Sequence, residues 1–302
     1  MCDFVLFGAT GFIGGHILKA LQDQKFDVKI CSIRLEQAER ILEFLESADI
    51  SPISHGVICA AGVKGTPNMD WCLTHPCETI ETNIVGQLNV ARACRLLQVH
   101  CTFVGSCMVY PPSPKLADDA GIAGGEPSTG YHFYREDEDT LSGADYIDRG
   151  PEHVHFYRKA RCVLEDLLQY YPNSLNLRVL FPIEMSDKSF ENKQSLLGKL
   201  RTFSRVEAAV NSVTFLDNLC PTLPKLIAKK TTGNLNFVNP GAVDYVAVVG
   251  KMRKKIDGYD PEFSAVGRGN FLLNTDRLVR EGSTEEYPVI TADQCLDLIF
   301  NS

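Results

Sequence analysis

Short apolar runs alternate with longer amphipathic stretches through the first half of the chain. The apolar runs have the length and β-branched content of buried strands, and they are DFVLFG (3–8), FDVKICSI (26–33), HGVICAAG (55–62) and VHCTFVGS (99–106). The stretches between them carry apolar residues at helical spacing, and they cover 11–24, 34–48 and 78–98. Strands that alternate with helices predict a parallel sheet with both faces covered.

The same pattern continues to about residue 184 and then changes. A helix at 155–171 and a strand at 175–183 complete the first region. Shorter helices at 193–205 and 217–230 then mix with short strands such as 234–240. We therefore predict an α/β fold: a Rossmann-like doubly wound parallel sheet over 1–184, and a small C-terminal α/β substrate lobe over 185–302, with some crossing of the chain between them.

Composition excludes several classes of function. The formal charge of the 302 residues is −8 and the pI is near 5.4, so nucleic acid and anionic membranes are not expected partners. The eleven cysteines are odd in number and none form a C-x-x-C, which indicates reduced thiols. Seven histidines show no metal-ligand spacing, so no metal is predicted. No signal pattern and no apolar run of about 18 residues is present, which predicts a cytoplasmic protein.

A glycine-rich turn follows the first predicted strand and opens the first helix. Gly8, Gly11 and Gly14 have the G-x-x-G-x-x-G spacing that allows a tight turn, close backbone approach and free N–H groups towards a phosphate. A turn without a ligand is the alternative. The residues expected against a dinucleotide here are Gly8, Thr10, Gly11, Phe12, Ile13 and Gly14.

The tip of the second strand bears on the choice of dinucleotide. Dinucleotide sites place the adenine ribose at this tip, where an acidic residue favours NAD. This chain instead has Ser32 and Arg34, which suit a 2′-phosphate, so NADP(H) is preferred to NAD(H). A plain surface role for Arg34 is the alternative.

Three side chains form a proton-transfer set. Ser106 ends the fourth strand, while Tyr157 and Arg161 are four residues apart and share one helical face. A tyrosine, with a reference pKa of about 10, needs a nearby positive charge to serve as an acid near neutrality. The serine hydroxyl would bond the same ketone oxygen. Simple packing of Tyr157 against Arg161 is the alternative.

The chain resembles the extended short-chain dehydrogenase/reductases, and in particular the nucleotide-rhamnose synthase branch (3,5-epimerase/4-reductase). The resemblance runs nearly end to end, through GATGFIGG, SIRLE, AAGVKGTPNMDWC, ETNIVG, GSCMVY, FYRKA, LRVLFPI, NSVTFLD and FVNPG. It implies a Rossmann fold, NADP(H), a nucleotide-sugar substrate and catalytic hydroxyls at Ser106 and Tyr157. The further cofactor-binding residues that it implies are Ala60, Ala61, Gly62, Asn83, Pro182 and Ile183.

The chain departs from this family at several site positions. Arg161 occupies the slot of the family lysine, and an arginine cannot relay a proton at workable pH. Lys159 points about 200° round the helix from Tyr157. Met108 occupies the slot of the epimerase cysteine, and the adjacent Cys107 would face the other way on a strand.

The sugar side of the site also differs from the family pattern. Lys199 matches the family's epimerase lysine, with a solvated helix face as the equal alternative. In the family, the loop after the third strand has a basic residue at the position of Thr66. This chain has its basic residue at Lys64 instead. Asn211 and Arg268 are expected near the nucleotide diphosphate, and Trp71 belongs either to the core or to the sugar pocket.

These residues favour an NADPH-dependent reductase of a nucleotide-linked 4-keto-6-deoxy sugar, with 3,5-epimerisation left open. Two alternatives remain at this point. One is a non-catalytic NADP(H)-binding regulatory or scaffold subunit, which Arg161 and Met108 favour. The other is a reductase or epimerase acting on a different nucleotide sugar. A homodimer is also left open.

Overall fold

The computed structural model describes residues 2–52, 54–65, 69–115, 130–138, 140–141, 156–266 and 269–301, with the side chain of Asp187 excepted. The chain forms two compact units, and each is discontinuous in sequence. The first comprises Met1–Val109, Asp139–Arg178 and Leu223–Leu235, and the second comprises Tyr110–Glu138, Val179–Thr222 and Asn236–Ser302. The division into a dinucleotide-binding domain up to residue 184 and a substrate lobe after it stays a prediction.

The secondary structure is numbered in chain order. The strands are β1 Phe4–Phe7, β2 Val28–Cys31, β3 Gly56–Cys59, β4 Cys101–Val104, β5 Ser174–Arg178, β6 Arg205–Glu207, β7 Val210–Asn211, β8 Gly233–Asn236, β9 Val243–Asp244 and β10 Glu262–Ser264. The helices are α1 Phe12–Asp23, α2 Ala38–Ser47, α3 Trp71–Thr74, α4 Pro76–Ile80, α5 Gly86–Leu96, α6 Phe156–Leu168, α7 Leu196–Thr202, α8 Leu216–Leu219, α9 Leu223–Ala228, α10 Tyr245–Lys255, α11 Asp276–Gly282 and α12 Ala292–Phe300.

The first unit is built on a six-stranded sheet of order β2-β1-β3-β4-β5-β8. Each neighbouring pair among its first five strands is parallel. Every residue of β1, β3, β4 and β5 is buried, as parallel strands covered on both faces should be. The strand order reverses beside β1, because β2 lies on one side of it and β3 on the other. The predicted Rossmann-like doubly wound sheet is confirmed, and its ligand crevice is expected at the carboxyl ends of β1 and β3.

Amphipathic helices cover this sheet. α1 buries Gly14, Ile17, Ala20 and Leu21, which recur at helical spacing, while Lys19 and Asp23 form an ion pair on its exposed face. α2 likewise buries Ile41 and Leu45 in the core of the first unit.

The long helix predicted over 78–98 is not continuous. A single π-helical turn, Glu81–Val85, separates α4 from α5. Gly86 ends this turn against Leu35, where a β-carbon would lie 2.5 Å from the Leu35 side chain. A π turn inserts one extra residue into the helix and is often found at functional sites. Apolar periodicity does not reveal such an insertion, because the buried face resumes after it.

The second unit has its own small sheets and core. β6 pairs with β10 in parallel, and β7 pairs with β9 antiparallel. Its core includes Ile183, Leu197 and Phe215. The Asp244 side chain accepts from the backbone N–H of Val246 and caps α10.

Two properties of the whole described chain bear on its class. All eleven cysteines are free thiols, and ten of them are buried. No helix in the ranges given above is both long enough and apolar enough to cross a membrane.

Candidate active site

The glycine turn lies where the strand order reverses. Gly8 has a φ of +76°, and a β-carbon on it would lie 2.6 Å from the backbone nitrogen of Ala61, after β3. The loops after β1 and β3 therefore touch backbone to backbone, which only glycine allows here. The backbone N–H of Gly11 donates to the carbonyl oxygen of Gly8 over 3.0 Å, and this closes the turn onto α1.

The amino-terminal end of α1 is suited to an anion. Among the residues described, no side chain caps this helix at Gly11, and its first turn carries no acidic residue. Its first N–H groups and the positive end of the helix dipole are thus left for a ligand. With the close approach permitted by Gly8, these residues fit the diphosphate of a dinucleotide.

We expect Gly14→Ala to weaken dinucleotide binding by at least about tenfold, whereas Gly15→Ala leaves binding nearly unchanged. A β-carbon on Gly14 would overlap the carbonyl oxygen of Gly8, whereas one on Gly15 would lie an ordinary 3.6 Å from that of Ala9. NADPH titration followed by protein fluorescence measures both variants. Equal affinities of the two variants would contradict the prediction.

Two arginines line a surface groove beside the tip of β2. The groove is bordered by Ile30, Ser32, Ile33, Arg34, Gln37, Arg40 and Phe44. The Arg40 guanidinium donates to the side-chain oxygen of Gln37 over 2.7 Å. Ser32 and Arg34 are residues predicted from the sequence; Arg40 is not, although its position in the first turn of α2 is a usable signal. Two guanidinium groups and a hydroxyl suit a phosphate monoester.

The π turn anchors the loop after β3. The side chain of Asn83 accepts from the backbone N–H of Val63 over 2.9 Å and donates to its carbonyl oxygen over 2.6 Å. The Gln87 side chain, four residues on, donates to the carbonyl oxygen of Ala61. Asn83 is a residue predicted from the sequence; Gln87 is not, although its helical spacing from Asn83 indicates that it shares the same face. The loop carrying Ala61 and Gly62 is therefore fixed to this helix.

Ser106 lies just past β4, in a short buried segment. Its hydroxyl oxygen accepts from the backbone N–H of Met108 over 3.2 Å, and Ser106 itself is buried. The 3₁₀ turn Cys107–Val109 follows directly and packs against α6, which carries Tyr157 in its first turn. Ser106 and Tyr157, the two candidate catalytic hydroxyls, thus lie in or beside two elements of the first unit that pack against each other.

Arg161 is a buried cation beside Tyr157. Its guanidinium lies 5.1 Å from the centre of the Tyr157 ring, within cation–π range, and donates to the carbonyl oxygen of Val104 over 3.4 Å. Its Nε has no hydrogen-bond partner among the residues described. A β-carbon on Gly62 would lie 3.0 Å from this guanidinium and 3.1 Å from the side-chain oxygen of Asn83. Arg161, Asn83 and the loop after β3 therefore converge at Gly62.

A carboxylate that could neutralise Arg161 is engaged elsewhere. Glu165 lies one helical turn after Arg161, yet it forms a buried ion pair with Arg178 of β5. The side chain of Asn176 also donates to Glu165 over 2.8 Å. The carboxylate of Glu165 is thus occupied by Arg178 and Asn176.

The position of the epimerase cysteine is apolar, and the cysteine beside it is deeply buried. Met108 is buried and carries no ionisable group. Cys107 is completely buried, and this burial raises the pKa of its thiol far above the ordinary value. The Cys107 thiol is thus protonated at neutral pH and shielded from solvent.

Other predicted residues have separate environments. Lys64 is exposed in the loop after β3, and Trp71 stacks on His75 with ring centres 3.9 Å apart. In the second unit, Ile183 is buried, Pro182 and Lys199 are half-buried, and the buried side chain of Asn211 accepts from the backbone N–H of Phe271 over 2.8 Å. Arg268 lies outside the described residues. The roles predicted for these residues stay predictions.

Comparison with known proteins gives consistent matches. The NAD dependent epimerase/dehydratase family matches residues 4–133. The chain is 33% identical over 265 residues to the bifunctional dTDP-4-dehydrorhamnose 3,5-epimerase/dTDP-4-dehydrorhamnose reductase of Arabidopsis thaliana, an alignment covering 87% of this chain and 77% of that protein. It is 31% identical to the trifunctional UDP-glucose 4,6-dehydratase/UDP-4-keto-6-deoxy-D-glucose 3,5-epimerase/UDP-4-keto-L-rhamnose-reductase of the same plant, covering 86% of this chain but 34% of that longer protein.

Solved structures share the fold over the whole chain. The crystal structure of the L780 UDP-rhamnose synthase from Acanthamoeba polyphaga mimivirus is similar with a TM-score of 0.79 at 21% identity, covering 100% of this chain and 99% of that one.

Proposed function

Since the chain belongs to the extended short-chain dehydrogenase/reductase family, in the branch of the 3,5-epimerase/4-reductases, we propose that it reduces the 4-ketone of a nucleotide-linked 4-keto-6-deoxy sugar with NADPH. The product is an NDP-rhamnose or a related deoxysugar nucleotide. One observation carries the proposal: a buried serine–tyrosine–arginine set lies in the same unit as a dinucleotide-type glycine turn, with Arg161 reaching the loop after β3.

The hydroxyls of Ser106 and Tyr157 have different roles at the ketone oxygen. When bound, NADPH would supply the hydride that reduces the carbonyl carbon. Because the oxygen of Ser106 already accepts from Met108 N–H, its own proton is free to bond the ketone oxygen. Tyr157 then donates a proton to that oxygen as negative charge develops on it. Arg161 keeps a fixed positive charge beside the phenol and relays no proton.

NADP(H) is the cofactor that the residues fit. The glycine turn and the start of α1 would hold the diphosphate, and the groove with Ser32, Arg34 and Arg40 would hold the 2′-phosphate. The neighbourhood of Arg161 and Asn83, which meet at Gly62, would hold the nicotinamide half.

We expect the double variant Arg34→Ala, Arg40→Ala to lose at least about tenfold in NADPH affinity while NADH affinity changes less than about twofold. Only NADPH carries the phosphate monoester that the two guanidinium groups would bind. Parallel fluorescence titrations with the two cofactors measure the ratio, and Arg95→Ala, an exposed arginine on α5, is the control. An equal loss for both cofactors would refute a 2′-phosphate role.

The buried Cys107 and the presence of Met108 favour reduction without epimerisation. We therefore expect no deuterium at C3 or C5 when the enzyme is held in D₂O with UDP-4-keto-6-deoxyglucose and no NADPH. Epimerisation at either carbon must remove a proton and return one from solvent. Mass spectrometry of the recovered sugar nucleotide reads the exchange. Deuterium at these carbons, above a sample without enzyme, would instead show that the chain exchanges these protons as a 3,5-epimerase does.

The central test is NADPH oxidation with UDP- and dTDP-4-keto-6-deoxyglucose, each with and without a separate 3,5-epimerase, after NADPH binding has been established by fluorescence. Turnover with either sugar supports the proposal. Turnover that requires the added epimerase would mean that this chain reduces an already epimerised ketone. Tight NADPH binding with no turnover under all four conditions would instead favour a non-catalytic regulatory subunit.

The proposal extends to location and assembly. A cytoplasmic location is supported by the eleven free cysteines, because oxidising compartments convert such thiols to disulfides. A homodimer remains a prediction that sedimentation analysis tests directly.

A further inference from the structure

Two guanidinium groups of α6 hold backbone carbonyls on either side of Ser106. Arg161 donates to Val104, two residues before Ser106, over 3.4 Å. The Nε of Arg158 donates to Met108, two residues after Ser106, over 2.8 Å. Since Arg158 and Arg161 are three residues apart, they lie on neighbouring positions of one helical surface. The shorter of the two hydrogen bonds belongs to Arg158, for which the proposed function has no role.

The Met108 residue joins Arg158 to the serine hydroxyl. Its N–H donates to the hydroxyl oxygen of Ser106, and its carbonyl oxygen accepts from Arg158. A continuous chain of contacts therefore runs from the catalytic helix through Met108 to Ser106. Tyr157 is the residue directly before Arg158 on that helix. The Arg158 contact thus fixes the element bearing one hydroxyl against the element bearing the other.

The turn that follows Ser106 depends on such external contacts. It is a three-residue 3₁₀ turn, Cys107–Val109, and single 3₁₀ turns have weaker internal hydrogen bonds than α-helices. Beyond Arg158, its backbone is held at Val109, whose carbonyl oxygen accepts from the N–H of Leu141 over 2.8 Å. Loss of the Arg158 contact would free the Met108 carbonyl and loosen the peptide that sets the serine hydroxyl.

We propose that Arg158 is a positioning residue for ketone reduction, which acts by holding the Met108 carbonyl so that the Ser106 hydroxyl stays aligned with Tyr157. This inference rests on the proposed reductase function. It assigns the effect of Arg158 to its hydrogen bond and not to its charge. Small misplacement of a reacting group costs up to about 10²-fold in rate, so the contact should matter for turnover.

The test compares Arg158→Met, Arg158→Lys and Lys159→Met. The first removes the donor but keeps an apolar stem, and the second keeps a donor and a charge. The third removes a positive charge from the exposed neighbouring position of the same helix and is the matched control. For each variant, kcat and KM for the sugar, the NADPH Kd, the melting temperature and the pH profile of kcat/KM are measured.

We expect Arg158→Met to lower kcat about 10- to 100-fold, with sugar KM and NADPH Kd within about twofold of the wild type and a normalised pH profile that superimposes on it. Arg158→Lys should retain at least about a third of wild-type kcat, and Lys159→Met should match the wild type. A displaced pH profile in Arg158→Met would show action through charge and overturn the proposal. Normal turnover by the Arg158→Met variant would also overturn the proposal, as would an Arg158→Lys variant as impaired as Arg158→Met.

Hydrogen exchange provides a readout that does not need turnover. Peptides covering residues 105–110 should exchange faster in Arg158→Met than in Lys159→Met, with peptides of β1 and β3 unchanged in both. Unchanged exchange at 105–110 would overturn the positioning role. A wild-type chain that reduced neither sugar would count against the proposed function, while this exchange comparison would still decide whether Arg158 holds the turn.

Discussion

Tyr157→Phe is expected to lower the rate of ketone reduction by about 10²- to 10⁴-fold, which is the usual contribution of a positioned general acid. The phenylalanine ring keeps the packing against Arg161 and removes only the hydroxyl that donates the proton. Because the glycine turn and the groove at β2 are untouched, NADPH binding should stay within about twofold of the wild type. Stopped assays of NADPH oxidation and fluorescence titrations measure the two quantities on the same preparation.

The matched control for this substitution is Tyr170→Phe. Tyr170 lies two residues beyond the end of the same helix and is 73% exposed, so loss of its hydroxyl should leave both turnover and binding unchanged. Retained turnover in Tyr157→Phe would refute the assignment of Tyr157 as the acid. A Tyr157→Phe variant that lost both NADPH binding and turnover would also refute the assignment, since Tyr157 would then serve cofactor binding.

Arg178→Met is expected to lower the free energy of unfolding by about 3–5 kcal/mol, because it leaves the Glu165 carboxylate buried without its cation. Arg178 is 1% exposed and Glu165 is 8% exposed, so solvent cannot replace the lost partner. Asn176 still donates one hydrogen bond to the carboxylate, but an amide does not neutralise its charge. Urea unfolding of the NADPH-free protein, followed by circular dichroism, gives the change.

Two further variants separate the buried charge from the loss of packing. Arg178→Met combined with Glu165→Leu removes both charges and should recover most of the stability. Lys19→Met breaks the exposed ion pair with Asp23 and should cost less than about 1 kcal/mol. A loss below about 1 kcal/mol in Arg178→Met would contradict the prediction, as would a double variant no more stable than the single one.

The Arg178 substitution also bears on the site. Glu165 is four residues after Arg161, so a carboxylate released from Arg178 lies on the helix face that Arg161 shares. In the folded chain, Arg178 and Asn176 occupy this carboxylate, one helical turn from Arg161. Neither the apolar pattern nor the Tyr-x-x-x-Arg spacing indicated this arrangement.

The sequence predicted the elements whose signal is local. The run FVLF became β1 with every residue buried, and the glycine spacing at 8, 11 and 14 became a turn onto α1. Both outcomes follow from near neighbours: period and length identify a buried strand, and close backbone approach requires glycine. The family resemblance was also readable, because it is carried by short motifs spread along the whole chain.

The tertiary structure decided which distant groups meet. Glu165 pairs with Arg178 because α6 packs beside β5. The π turn that places Asn83 against Val63 leaves the apolar period on both sides intact and so has no signature in the sequence.

The same division explains the catalytic helix. By itself, the sequence determined that a tyrosine and an arginine share one face, because a helix sets that geometry from spacing alone. Only the packing of this helix against the turn after β4 decided that Arg161 is a buried cation and that Arg158 holds the Met108 carbonyl. Partners this far apart along the chain depend on the order and packing of the strands and helices, which local sequence patterns do not specify.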